Sequence, residues 1–137
     1  LKLTFIEVAA DEVISKTRVP VQFEGYPGIV HGGITAAMLD EVVSRAAMIG
    51  DHDHFRVTAK LELRYRKPVP SETELLLRGH LIQARGKLTR ARGELVLPDG
   101  SIAAEAEALL ADYDVGELNS ARLEALGWRV YSDGETP

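Results

Sequence analysis

The chain contains no cysteine, which excludes disulfides, thiolate metal sites and cysteine nucleophiles together. Long apolar runs are missing too: none approaches the ~20 residues that a membrane-crossing helix needs, so no membrane partner is expected. The start, Leu1-Lys2-Leu3-Thr4-Phe5, has neither the basic flank nor the apolar core of a signal peptide, and the expected location is cytoplasmic. Positive charge is in deficit, with 16 basic against 21 acidic residues and a net charge of -5, which argues against nucleic acid as a partner. There is no internal repeat, low-complexity stretch or linker. With 137 residues of which 45% are apolar, one domain over residues 1–137 is expected, with its core at about 19–113 and a helical tail at 115–137.

What is present centres on Gly28-Ile29-Val30-His31-Gly32-Gly33 and the residues after it. Ile34 to Ile49 has no proline or internal glycine and reads as a helix, opened by Gly32 and Gly33 and ended at Gly50. Gly33, Ala36, Ala37, Asp40, Val43, Ser44 and Ala47 fall on one helical face, whose small side chains suit close packing on a sheet or another helix. Asp40 stands in the middle of that face, where an acid must be paired or used. Glu41, four residues before Arg45, reads as a solvated ion pair.

β-type patterning surrounds the helix. Leu1–Val8 and Val13–Phe23 read as strands, with Pro20 marking an edge or an end, and Glu24–Gly28 as a turn. Val57 to Tyr65 alternates strictly, with Val57, Ala59, Leu61, Leu63 and Tyr65 on the side expected to be buried and Thr58, Lys60, Glu62 and Arg64 on the wet side. Lys67-Pro68-Val69-Pro70 ends it. Further strands are expected over Thr73–Ala84, Leu88–Leu97 and Ile102–Tyr113, and a short helix over Ser120–Leu126 stopped by Gly127. Asp51-His52-Asp53-His54 reads as solvated loop, so no metal site is expected.

A long helix followed by an antiparallel meander packs most simply with the sheet wrapped around it, an α+β arrangement. Gly25 through Gly33, Asp40 nine positions after His31, and the Lys-Pro-terminated strand from Val57 resemble the hotdog-fold acyl-CoA thioesterases, in the branch with a helix-borne aspartate behind His-Gly-Gly. The resemblance spans roughly Val19 to Tyr113 and implies hydrolysis of an acyl-CoA thioester without a cofactor. Asp40 would be the general base that activates water, or the nucleophile itself. The Gly32 backbone N–H, at a helix start, would polarise the carbonyl.

The remaining roles follow from the same resemblance. His31 would shape the entry, Thr58 would assist the carboxylate with its hydroxyl, and Gly33, Ser44, Arg66 and Lys67 would contact substrate or water. Arg64, Arg90, Arg92 and His80 read mainly as wet faces of strands. Where some relatives carry an asparagine six positions before the histidine, this chain has Gly25. No serine sits in a nucleophile elbow, so a serine triad has no support. Two alternatives share the fold: a non-catalytic acyl-CoA-binding protein, and a hydratase or dehydratase.

Spacing adds an expectation about assembly. Gly32 and Asp40 are about 12 Å apart along one helix at ~1.5 Å per residue, too far to serve the same carbonyl. Two antiparallel copies about a two-fold axis would bring Gly32 of one to Asp40 of the other, so a homodimer or a dimer of dimers with shared sites is expected.

Overall fold

The computed structural model describes residues 1–114, 120–128, 131, 132, 134 and 135. Its main sheet has six antiparallel strands: β1 (Ile6–Ala9), β2 (Glu12–Arg18), β5 (Arg56–Tyr65), β6 (Glu74–Arg85), β7 (Leu88–Val96) and β8 (Ile102–Asp112), in the order β1-β2-β6-β7-β8-β5. A small hairpin, β3 (Glu24–Tyr26) with β4 (Ile29–Val30), precedes the long helix α1 (Gly32–Ala46). A short helix, α2 (Ser120–Ala125), follows the sheet.

α1 presses Thr35, Met38, Leu39, Val42, Val43 and Ala46 into the curve of the sheet. Leu75, Leu77, Leu95 and Leu110 meet it there, all fully buried, and each such side chain contributes about 1.5–3 kcal/mol of transfer free energy. Close approach depends on Gly79 and Gly93, which are paired across β6 and β7 under the middle of the helix. A Cβ at Gly79 would lie 2.6 Å from the Val42 carbonyl oxygen, and one at Gly93 would lie 3.0 Å from methyl groups of both Val42 and Val43. Next to them β8 contributes only methyl groups, with Ala104, Ala106 and Ala108 buried. Small residues on the sheet, more than on the helix, therefore let the two layers meet.

The small-residue helix face was expected to pack on a sheet or on another helix, and most of it does not lie against this chain's own sheet. The helix face of Gly33, Ala36, Ala37, Asp40 and Ser44 does not pack on the sheet; these residues are half-buried or exposed, and only Val43 and Ala47 of the expected set lie in the core. The helix also stops earlier than the pattern suggests, because Ala47, Met48 and Ile49 continue in tight turns that Gly50 closes at φ +76°. Arg56 Nη1 donates to the Ala47 carbonyl at 2.6 Å and satisfies that helix end.

The N-terminal region differs more. Residues 1–5 are not strand, β2 ends at Arg18, and Val21–Phe23 is a turn of 3-10 helix after Pro20. The expected Glu24–Gly28 turn is the hairpin β3–β4, reversing at Gly28 with φ +79°. The alanine-rich run Ala103-Ala104-Glu105-Ala106-Glu107-Ala108 lies within β8, so pairing with its neighbours overrides alanine's helix propensity. In the tail, Trp128 stacks over Arg45 at 4.3 Å, and Leu123 is buried. Of the expected tail, residues 115–119, 129, 130, 133, 136 and 137 lie outside the described residues.

Candidate active site

The strand that faces the mid-helix carboxylate is not regular. β5 pairs with β8 through Thr58↔Leu110 and then Lys60↔Leu109, leaving Ala59 as an extra residue. Such a bulge reverses which side chains face inward. Beyond it Leu61, Leu63 and Tyr65 lie opposite the buried Ala108, Ala106 and Ala104; before it the inward residue is Thr58, opposite buried Leu110. Thr58 is exposed, as its polar position in the sequence pattern implies, but the bulge turns it toward α1. Thr58 Oγ1 donates to Asp40 Oδ1 at 2.8 Å. Val57, Ala59 and Tyr65 are exposed and Leu61 and Leu63 only half-buried, contrary to the expected buried row, because β5 is the sheet's edge.

At the start of α1 the backbone donors are nearly all taken. His31 is the N-cap, with φ -57° and ψ 135°, and its Nδ1 accepts from the Gly33 N–H at 2.9 Å. The ring proton therefore sits on Nε2. The N–H groups of Ile34 and Thr35 both donate to the His31 carbonyl, at 2.9 and 3.1 Å. Among the described residues the Gly32 N–H has no protein acceptor, so it is the one donor of the first turn that a ligand can use. Glycine at 32 is not demanded by this chain's own packing: a Cβ there would meet nothing closer than the Tyr65 ring at 3.8 Å. At Gly33 the added carbon would stand 3.0 Å from His31 Nδ1 and disturb the cap.

A groove of about 760 Å³ opens at this helix start, walled by the β3–β4 hairpin, Gly32, Thr35, Tyr65 and the run Arg66–Val69. The hairpin wall is anchored from outside. The Glu24 carboxylate accepts from the Ser71 hydroxyl and from the Gly28 N–H, which holds its pKa below the usual glutamate value. Gly25 backs onto His31: a Cβ would lie 3.3 Å from its Cα and Cδ2.

The expected site residues thus divide into groups. Asp40 and Thr58 are joined; Gly32, Gly33 and His31 form a second cluster one helix-half away; Ser44 is half-buried one turn beyond Asp40. Arg66 and Lys67 reach the groove wall, yet Arg66 Nη2 is paired with Glu105 at 2.8 Å, which raises the arginine's pKa and lowers the glutamate's. Arg66 therefore has to share itself before it can meet a phosphate. Arg64, Arg90, Arg92 and His80 lie on the sheet's outer face: Arg64 is in register with Glu105, Arg92 with Glu107 and His80 with Glu12, and Arg90 Nη2 lies 4.0 Å from Glu107. Tyr65 was missed as a site residue. Its place in the apolar alternation marked it as core, whereas it is 52% exposed and its hydroxyl donates to the Gly32 carbonyl at 2.8 Å.

The loop after α1 is tied down more than a solvated loop would be. His52 contacts Glu7, and His54 lies 3.1 Å from Asp51 and 3.0 Å from Asp112. Among the described residues no group of three or more His, Cys, Asp or Glu side chains is arranged to hold a metal ion, and no helix is long and apolar enough to cross a membrane.

A six-stranded antiparallel sheet packed against one long helix defines the hotdog class of folds. The sequence profile of the thioesterase superfamily matches residues 27–104, and the chain belongs to that superfamily. It is similar to acyl-coenzyme A thioesterase 13 of Mus musculus, 24% identical over 82 residues that make up 60% of this chain and 59% of the relative. The chain thus matches under two thirds of that relative's length. Among solved structures it is similar to a thioesterase superfamily protein at 28% identity and TM-score 0.73, over 80% of this chain and 55% of that one. It is also similar to smu.793 of Streptococcus mutans UA159, a protein solved bound to acetyl-CoA, at 17% identity and TM-score 0.74, over 82% and 90% of the two chains.

Proposed function

We propose that the protein hydrolyses acyl-CoA thioesters to the free acid and coenzyme A. The observation that carries this reading is the Thr58–Asp40 hydrogen bond, which fixes a half-buried carboxylate on a helix whose first N–H, on Gly32, has no acceptor among the described residues. In the reaction the Gly32 N–H hydrogen-bonds the thioester carbonyl and stabilises the oxyanion that forms. Asp40 either takes a proton from water as the water oxygen attacks, or attacks the carbonyl itself to form an anhydride that water then opens. In both routes the C–S bond breaks, a C–O bond forms, and coenzyme A leaves as the thiol after gaining a proton. Lys67, and Arg66 when released from Glu105, suit the phosphates of the coenzyme at the groove mouth.

The two halves of this chemistry belong to different subunits in our reading. On one chain Asp40 touches Thr58 near the start of β5, and Gly32 touches Tyr65 at its end. β5 is an edge strand with one side unpaired. Antiparallel pairing of two β5 edges about an axis near Leu61 and Glu62 would set Tyr65 beside Thr58 of the partner subunit, and so Gly32 beside the partner's Asp40. The test is thiol release measured over a panel of acyl-CoAs of increasing chain length. Turnover with at least one supports the reading. Saturable binding without turnover would instead make the protein an acyl-CoA-binding relative.

A further inference from the structure

The Gly32 N–H is held by two consecutive glycines, and this poses a mechanical problem. Neither Gly32 nor Gly33 has a positive φ, so the glycines are not there to meet a left-handed turn. Without a Cβ, however, each has wide freedom in φ and ψ, and an oxyanion donor must be aimed to within a few tenths of an ångström and some tens of degrees. Backbone sterics do not supply that aim.

Side chains clamp it instead. The peptide unit between Gly32 and Gly33 is gripped at both ends: its N–H donates to His31 Nδ1 at 2.9 Å, and its carbonyl accepts from Tyr65 Oη at 2.8 Å. The preceding unit, which carries the free Gly32 N–H, has its carbonyl on His31 engaged by both Ile34 and Thr35. That double engagement draws charge toward the oxygen and strengthens the N–H on the same unit as a donor. The cap and the helix belong to the local chain, but Tyr65 comes from β5, thirty-three residues away. Its hydrogen bond ties the aim of the helix start to the edge strand.

We infer that Tyr65 is a positioning residue for the Gly32 N–H, acting through the Gly32–Gly33 peptide and not through substrate. This rests on the role proposed for Gly32. The tyrosine ring is half outside the core, and the hydroxyl is the part that matters: Tyr65→Phe keeps the ring that lines the groove and removes one hydrogen bond.

The experiment has two readouts. In Tyr65→Phe, kcat should fall roughly tenfold to a hundredfold with KM changed by less than about twofold, since a misaimed donor weakens the transition state more than the bound ground state. Combined with His31→Ala, the losses should be strongly sub-additive, because both side chains grip one peptide. The second readout needs no activity: by NMR, hydrogen exchange of the Gly33 amide in Tyr65→Phe should accelerate about tenfold or more, while amides of β7 keep their protection. A raised KM with unchanged kcat would make Tyr65 a substrate contact and overturn the inference. So would an unchanged Gly33 exchange rate. If the wild-type protein hydrolyses no acyl-CoA, the proposed function fails, and the amide measurement still decides whether Tyr65 holds this peptide.

Discussion

Gly79 and Gly93 face one another across β6 and β7, whereas Gly32 stands at the mouth of α1, and the sheet pair and Gly32 are glycines for different reasons. At the sheet pair the chain itself occupies the space, with the Val42 backbone 2.6 Å from where a Cβ at Gly79 would be. At Gly32 the space is empty to 3.8 Å and opens on the groove. A glycine crowded by its own chain belongs to the fold; one with room to spare is free for something that arrives from outside. The same helix thus carries its architectural constraint on one face and its chemical one on the other.

The chemical side breaks hardest at Asp40. Asp40→Asn should lower kcat by about 10²- to 10⁴-fold with an unchanged thermal unfolding curve, measured by thiol release and circular dichroism. Mild loss of rate with a large loss of stability would turn Asp40 into a structural acid and erase the contrast. The architectural side breaks at Gly79: Gly79→Ala should cost about 2–3 kcal/mol of stability in denaturant unfolding, while activity per folded molecule holds.

Gly32→Val sharpens the distinction. Stability should stay within about 0.5 kcal/mol of wild type, and the rate should drop roughly tenfold to a hundredfold as the side chain crowds the carbonyl's approach. Mixed by subunit exchange with Asp40→Asn, it should recover about a quarter of wild-type activity, because half the dimers are mixed and each has one intact site. Failure to recover, with mixed dimers proved by native mass spectrometry, would place both groups in one subunit.

The smallest effect belongs to the groove wall. Glu24 has a lowered folded pKa, so its contribution is present above the usual glutamate value and is lost as pH falls through the lowered one. Glu24→Gln should therefore flatten the acid limb of a stability-against-pH curve and leave the neutral plateau nearly unchanged.

Much of this was written in local pattern. The helix declared itself by composition and spacing, and β6, β7 and β8 by alternation and turn residues, because those signals survive in any surroundings. His31, Gly32 and Asp40 stood out through a motif. What escaped notice depended on pairing between distant segments. The bulge at Ala59 exists only as a mismatch between β5 and β8, and no residue in β5 announces it. Thr58 is exposed as its polar position implied, and only the pairing with β8 shows that it turns toward Asp40. Tyr65 looked like core because nothing in the sequence says that β5 is an edge, and Arg66 looked available because Glu105 is thirty-nine residues away.

The strand order has one more consequence, in time. β5 follows α1 in the chain, yet its neighbour in the sheet is β8, the last of the described strands to be synthesised. Closing that loop must wait for β6, β7 and β8 to be laid down, and contacts so distant in sequence form slowly. Thr58 and Tyr65 both ride on β5, so the helix and most of the sheet are expected to assemble before either reaches Asp40 or Gly32. In a refolding experiment the helical signal should return ahead of thiol release, and a nascent chain stalled before β8 should hold a helix without a working site.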